Sequence, residues 1–299
     1  MQRRISKQMR NEWYWGWFLI APTILGLIVL NIIPILQSVY LSFFKSGDFG
    51  KGNVFVGLDN YRRMADDPQV WHAVINTFLH ALMVVPSSIA IALVLAVMLN
   101  GKRKGKSIYR TIYFIPMVAA PAAVTMVWKW LYNSKFGLIN VLLTKLGLPK
   151  VEWTSNPDIA LVSIAVIGIW SVIGYNMVLF LAGLQEIPKD YYEASDIDGA
   201  GKARQFFVIT LPLVSPTLFF VLVTSIIQAM QVFDVIYMMV EVTNPAYDKT
   251  VSLVYLFYNN SFKYSDKGYG SAIVTLLLAI IMIMTVIQTK TQKKWVNYM

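Results

Sequence analysis

The chain contains no cysteine and only two histidines, His72 and His80, in 299 residues. Without cysteine there is no disulfide framework, no thiolate metal site and no cysteine nucleophile. Two histidines leave little from which to build a histidine metal centre. Charge is scarce as well: Asp, Glu, Lys and Arg make up 14% of the residues, where a soluble domain carries about a quarter. No segment is of low complexity and no internal repeat is found. Apolar residues, in contrast, reach 57% of the chain, with a mean hydropathy of +0.55. They come in runs too long for a soluble core, which excludes a disordered chain, a small secreted scaffold and a soluble enzyme.

A helix that crosses ~30 Å of hydrocarbon needs about 20 mostly apolar residues at 1.5 Å each. Six stretches qualify: Gly16–Phe44, Ala73–Asn100, Ile108–Tyr132, Ile159–Leu184, Leu213–Val240 and Gly270–Gln288. Pro22, Pro34, Pro86, Pro116 and Pro121 interrupt them, as membrane helices tolerate when neighbours satisfy the freed backbone groups. Arg3, Arg4, Lys7 and Arg10 could open a signal peptide. The apolar run behind them is too long, however, and no small-residue cleavage site closes it. It is read as the first retained span. The expected fold is an all-α integral membrane domain of six spans over residues 16–289, with a basic N-terminus at 1–15 and a C-terminus at 290–299.

Lysine and arginine set the orientation. Fifteen of the 26 fall on one side: the N-terminal four, then Lys102, Arg103, Lys104, Lys106, Arg110, Lys189, Lys202, Arg204, Lys290, Lys293 and Lys294. That side is assigned to the cytoplasm, together with both termini. The net charge of +10 is then a topology signal that suits anionic lipid headgroups rather than nucleic acid. The outer loops, Lys45–His72, Asn133–Asp158 and Glu241–Tyr269, read as turns and short interfacial helices.

The cytoplasmic segment 185–212 looks more ordered than a loop. Pro188 suits a helix start, Asp190 and Glu193 favour its N-terminal end, and Gly199 and Gly201 permit a sharp turn before Pro212. By composition alone it is an amphipathic interfacial helix. Its spacing, however, is Glu193-Ala194-Ser195, three residues, Gly199, nine residues, then Ile209-Thr210-Leu211-Pro212. This resembles the EAA loop of binding-protein-dependent ABC importer permeases, E-A-A, three residues, G, nine residues, I-x-L-P, and departs from it only at Ser195. FVGLDNYRRM, YRTIYFIPMV with VWKWLYN, and QVFDVIYMM are similar to carbohydrate-type permeases of the same superfamily. The chain looks like their compact six-span subunits, without the extra N-terminal spans and large periplasmic insertion of the enteric maltose permease large subunit.

The resemblance implies a permease subunit in a bacterial or archaeal inner membrane. Its implied partners are a second permease, two cytoplasmic ABC ATPases and an extracytoplasmic sugar-binding protein, with an oligosaccharide as cargo. It also implies a coupling helix between spans four and five, carried here by Glu193, Ala194, Ser195, Gly199, Ile209, Leu211 and Pro212. Glu193 would dock on the ATPase, whereas Ile209, Leu211 and Pro212 read equally as packing and span entry. ATP and Mg belong to the ATPase, with no cofactor on this chain. Gly101, Gly105, Lys106 and Ser107 only mimic a P-loop: three residues rather than four separate the glycines, and no strand precedes them.

Polar side chains inside spans are costly and tend to face a bundle interior or a water-filled path. Span four offers Ser171, Tyr175 and Asn176, and span five Ser225, Gln228, Gln231 and Asp234. Hydrogen-bonding groups with the Tyr175 ring suit a sugar path, although interhelical bonding explains such residues equally well. In the resembled family's maltose example, the same two helices line the sugar site. Trp128 and Trp130 read as interfacial belt residues, Trp170 as belt or path, and His72 and His80 as interfacial or packed, with no ligand role. A secondary transporter or channel is the alternative, but it fits poorly without inverted repeats, and no catalytic constellation marks an enzyme. The topology is checked with a cysteine at Lys104, unique in this chain: an impermeant maleimide should leave it unlabelled in intact cells and label it after permeabilisation.

Overall fold

The computed structural model describes residues 7–46, 53–101 and 105–297. Of the basic residues used for orientation, Arg3, Arg4, Lys102, Arg103 and Lys104 lie outside the described residues. The chain is mostly helical and divides into two units, residues 1–66 with 257–275, and residues 67–256 with 276–299. Five helices are long and apolar enough to cross a membrane, and a bent helix pair makes a sixth if counted as one span.

In the first unit, helix α1 (Lys7–Leu27) passes through a π turn at Ile28–Ile32 into α2 (Ile33–Leu41). The helix thus takes in Lys7 and Arg10, which were assigned to the N-terminal flank. None of the apolar window in Asn11–Leu41 is buried within the chain. The span also ends before Phe44, because Phe44–Ser46 (β1) pairs antiparallel with Asn53–Phe55 (β2), Phe44 facing Phe55. This ribbon departs from the all-α expectation. Helix α3 (Asp59–Asp66) follows. Its Asn60 donates to the carbonyls of Ser42 and Phe44, both at 2.9 Å. Arg63 pairs with Asp266 at 2.7 Å and lies over the Tyr269 ring.

The second unit carries the bundle. Helix α4 (Pro68–Asn100) starts at an Asp67 cap that accepts from the Gln69 amide, with Pro68 in the first turn where its missing N–H costs nothing. The span at Ile108–Tyr132 is not one helix. α5 (Lys106–Val118) and α6 (Pro121–Leu131) meet at 97°. Pro121 is the physical reason, since a residue before proline is pushed out of the α region, and Ala120 takes ψ 130. After α7 (Leu138–Lys145), buried Asn140 ties the connection together: it donates to Val151 O at 2.9 Å and accepts from the Val151 amide and the Trp153 indole.

Helix α8 (Ala160–Glu186) packs most extensively against α4 and next against α5. Short helices α9 (Asp190–Ile197), α10 (Lys202–Gln205) and α11 (Leu211–Leu213) lead to α12 (Ser215–Met230). The expected span Leu213–Val240 is interrupted at 231–233, beyond which α13 (Asp234–Met239) resumes. Helices α14 (Leu253–Tyr258) and α15 (Lys267–Thr291) complete the set. The C-terminal stretch is not a free tail: the Asn297 amide donates to Ser215 Oγ at 2.8 Å and Trp295 packs edge-on against Phe219.

The α5–α8 contact depends on one small residue. A Cβ at Gly174 would collide with the Tyr113 carbonyl of α5, so no other residue fits without parting the helices. Gly26, with nothing within 4 Å of its Cβ position, is the control. Gly174→Ala should cost about 1–3 kcal/mol and lower the melting temperature in detergent, whereas Gly26→Ala should leave it unchanged or slightly raised.

Candidate functional site

Both helix breaks line one cavity of about 280 Å³. The carbonyls and amides freed by a broken helix need polar surroundings inside a bilayer, and the wall supplies them. Ser171 comes from α8, Ser225 and Gln228 from α12, and Gln231 and Asp234 from the second break. Five of the seven residues read from the sequence as a substrate path are thereby brought together. Tyr175 and Asn176 are not in the wall. Asn176 is buried and donates to Ser225 Oγ at 3.3 Å, so it joins α8 to α12. The aromatic surface in the wall is Phe233, stacked on Tyr237 at 5.2 Å, rather than Tyr175.

His80, which reads from the sequence as interfacial or packed, is packed. It is 3% exposed and lines the cavity, with Nδ1 3.2 Å from the Ala229 carbonyl. Its Nε2 is buried with no hydrogen-bond partner among the described residues. The available signal was the polar group Asn76, Thr77 and His80 on one face of an apolar helix: Asn76 donates to the Asp248 and Val251 carbonyls, and Thr77 Oγ1 accepts from the Leu253 amide. Trp128 packs edge-on against Trp170 at 5.7 Å, outside the cavity wall, while Trp130 is exposed. Among the described residues no group of three His, Asp or Glu side chains is placed to hold a metal.

The segment after α8 folds as two arms around a turn. Gly199 takes φ +72, its amide bonds the Asp196 carbonyl, and the Ala200 amide bonds the Ser195 carbonyl. These two bonds with a left-handed glycine are a Schellman end to α9. Gly201, which was read as sharing in the turn, has φ −67 and needs no glycine freedom. Beyond it, α10 and a π turn at Phe206–Thr210 form the second arm. The arms are clamped by Gln205, which donates to Asp196 Oδ1, by Lys202 on the same oxygen at 3.2 Å, and by Tyr192 OH with Thr210 Oγ1 at 2.9 Å.

Glu193 and Ala194 are exposed. Ala194, Ser195 and Ile209 line an open groove between the arms. Leu211 instead packs on the core cluster around Phe180, Leu184 and Val214. Pro212 stands in the α11 turn and its carbonyl accepts from Ser215 Oγ.

Residues 72–296 match the family of binding-protein-dependent transport system inner membrane components. The chain belongs to that family. It is 35% identical over 296 residues, 98% of this chain and 95% of the relative, to a probable ABC transporter permease protein, YesP, of Bacillus subtilis (strain 168). It is 32% identical over 285 residues, 95% of this chain and 96% of the relative, to the trehalose/maltose transport system permease protein MalF of Thermococcus litoralis. Among solved structures, a chain of a bacterial alginate ABC transporter, determined with an alginate pentasaccharide-bound periplasmic protein, shares the fold. Its TM-score is 0.84 at 18% identity, covering 98% of each chain. The permease is thus an inner membrane component of an ABC transporter, and the secondary-transporter and channel alternative is not favoured.

The clamp in this permease has a pH signature. The Gln205 amide, and then Lys202, hold the Asp196 carboxyl below its ordinary value. A depressed carboxylate contributes fully above its unfolded pKa and loses that contribution as pH falls through the folded value. The turn should therefore keep its strength at neutral pH and loosen only in acid. Gln205→Ala should loosen it at neutral pH, read as faster hydrogen exchange at the Gly199 and Ala200 amides.

Proposed function

We propose that this permease is the transmembrane subunit of an ATP-driven importer that translocates a sugar, and more specifically an oligosaccharide, handed over by an extracytoplasmic binding protein. It pairs with a second permease, and two ATPase subunits bind on the cytoplasmic side, where both termini and residues 185–212 lie. ATP and Mg are held by those subunits, and this chain performs no hydrolysis. Two facts support the sugar reading: trehalose and maltose are the cargo named for the Thermococcus relative, and the cavity wall combines hydroxyls, amides and a phenyl face. The exposed apolar side chains of α1 and α2 suit lipid and a second permease.

The observation that carries the proposal is where the Glu193–Gly199–Pro212 spacing falls. It occupies a clamped, two-armed element between α8 and α12, the helices that supply Ser171 and Ser225 to the cavity. In this reading α9 is the coupling helix. Exposed Glu193 meets a basic group of the ATPase, small Ala194 and Ser195 admit close approach along the groove, and Gly199 sets the angle of the arms. Ile209 closes the groove, while Leu211 and Pro212 anchor the second arm to the bundle. Motion of the ATPase then reaches the cavity through α8 and α12 as rigid rods.

Glu193→Ala should insert and assemble normally, because the residue is exposed and its loss removes no burial. At the interface it leaves a basic partner unpaired, which costs about 2–5 kcal/mol where desolvated. Transport and binding-protein-stimulated ATPase activity should both fall, measured at matched subunit levels. Gly199→Val should lower both as well, since a left-handed non-glycine residue costs about 1–2 kcal/mol and tilts the arms. Full transport in Glu193→Ala would remove the docking role.

A further inference from the structure

A groove of about 570 Å³ is lined by the first halves of α4 and α8 and by the turn at 248–249. It shares no wall residue with the interior cavity. Its walls change character with depth. Ile75, Leu79 and Met83 recur at helical spacing along α4, and Leu161 and Val162 of α8 join them. Near the start of both helices stand His72, Asp158, Asp248 and Lys249. The rise from His72 to Met83 is about 16 Å, close to the depth of one leaflet in a hydrocarbon core of ~30 Å.

The charged rim is held in place. Asn76 donates to the Asp248 and Val251 carbonyls at 2.9 and 3.1 Å, which pins the turn carrying Asp248 and Lys249 to α4. The Asp158 amide donates to Asn156 Oδ1 at 2.9 Å. The side chains themselves are uncommitted. Among the described residues no ion pair or side-chain hydrogen bond engages those of His72, Asp158, Asp248 or Lys249.

Charges of both signs on one rim suit a dipolar group. The two carboxylates only accept and Lys249 only donates. A primary ammonium can donate to Asp158 and Asp248, and a phosphodiester can accept from Lys249 and the His72 ring N–H. An aminophospholipid carries both groups at one end and hydrocarbon at the other. A helix of a second permease would cross the whole bilayer, whereas on α4 this groove ends at Met83.

We propose that the groove binds one aminophospholipid of the extracytoplasmic leaflet, its headgroup on the Asp158, Asp248 and Lys249 rim and an acyl chain along Ile75, Leu79 and Met83. The inference goes beyond the importer reading and takes from it only the side of the membrane that the rim faces.

The test uses the full importer, purified, stripped of lipid in detergent and titrated with phosphatidylethanolamine, phosphatidylcholine or phosphatidylglycerol. Bound lipid is counted by native mass spectrometry. Choline keeps the positive charge without an N–H, and the glycerol headgroup carries no cation. One phosphatidylethanolamine should stay bound where the other two are lost. Asp158→Asn combined with Asp248→Asn changes only exposed positions and should weaken that retention about fivefold, the upper range for exposed charge pairs. Leu79→Trp fills the groove and should abolish retention. Leu82→Trp, exposed on the same helix but outside the groove, should preserve it. Equal retention of the three lipids, or undiminished retention in either groove variant, would refute the proposal. A benzophenone amino acid in place of Leu79 should cross-link to lipid in membranes. Its cross-linking to the second permease instead would overturn the proposal and leave the importer reading intact.

Discussion

In hydrocarbon no water completes a broken backbone hydrogen bond, so a membrane helix can stop only where protein or a polar cavity satisfies what it leaves. The permease stops two of its helices inside the bundle, at Ala119–Ala120 and at 231–233. Both breaks open on the same cavity. Pro121 favours the first by pushing Ala120 towards the extended region, whereas Pro22, Pro86 and Pro116 stand inside helices. At the second, Gln231 and Asp234 bring polar side chains to the chain just where its ladder fails, and Ser252 Oγ reaches the Val232 carbonyl at 2.7 Å. The cavity and the interrupted spans are consequences of one constraint. Continuous helices here would need no polar wall, and a polar wall without breaks would have little reason to persist in lipid.

That constraint also separates the polar residues that build from those that face the cavity. Asn76, Thr77, Asn140 and Asn176 are each spent on a named carbonyl, amide or hydroxyl. They fasten connections to helices, or helix to helix, and an apolar replacement would leave buried backbone groups without partners. His80 is half spent: one nitrogen faces a carbonyl and the other faces no protein group among the described residues. Sequence alone weighs these residues equally, since each is a polar group on an apolar helix. Partners alone do not tell them apart either: Ser171 Oγ donates to the Ile167 carbonyl and Ser225 Oγ accepts from Asn176, yet both stand in the cavity wall.

The spans were legible because length and hydropathy are properties of runs, and the runs here exceed any soluble core. The start of α4 was legible too, in Asp67-Pro68, but counting apolar residues begins at Ala73 and overlooks the cap. Phe44 was misassigned because hydropathy cannot distinguish the last turn of a helix from a strand, and its pairing with Phe55 is a property of the fold. The bend at Pro121 was invisible for a related reason: a membrane proline can kink a helix or end it. The outcome rests on whether Ala120 finds room in an extended conformation. Tyr175 was chosen for the cavity by helical spacing from Ser171, which ignores how far the wall extends along α8. Phe233 supplies the ring instead, because the break turns it inward.

The element after α8 shows why spacing can carry more than composition. Composition describes residues 185–212 as an amphipathic stretch, with nothing to separate it from any interfacial helix. The intervals between Glu193, Gly199 and Pro212 encode geometry: one short helix, a left-handed residue to reverse it, and a second arm of fixed length ending at a proline. Each interval has a physical counterpart, from the Schellman bonds at Gly199 to the carbonyl of Pro212 on Ser215. Leu211 seats the second arm on the cluster formed by α4, α8 and α12. A well-packed interior yields little to a local push and shifts as a body. A load applied to α9 therefore has two firm routes into the bundle, directly along α8 and through Leu211 into α12. Those are the helices whose Ser171 and Ser225 stand in the cavity wall, so the fold needs no further linkage between this two-armed element and its polar interior.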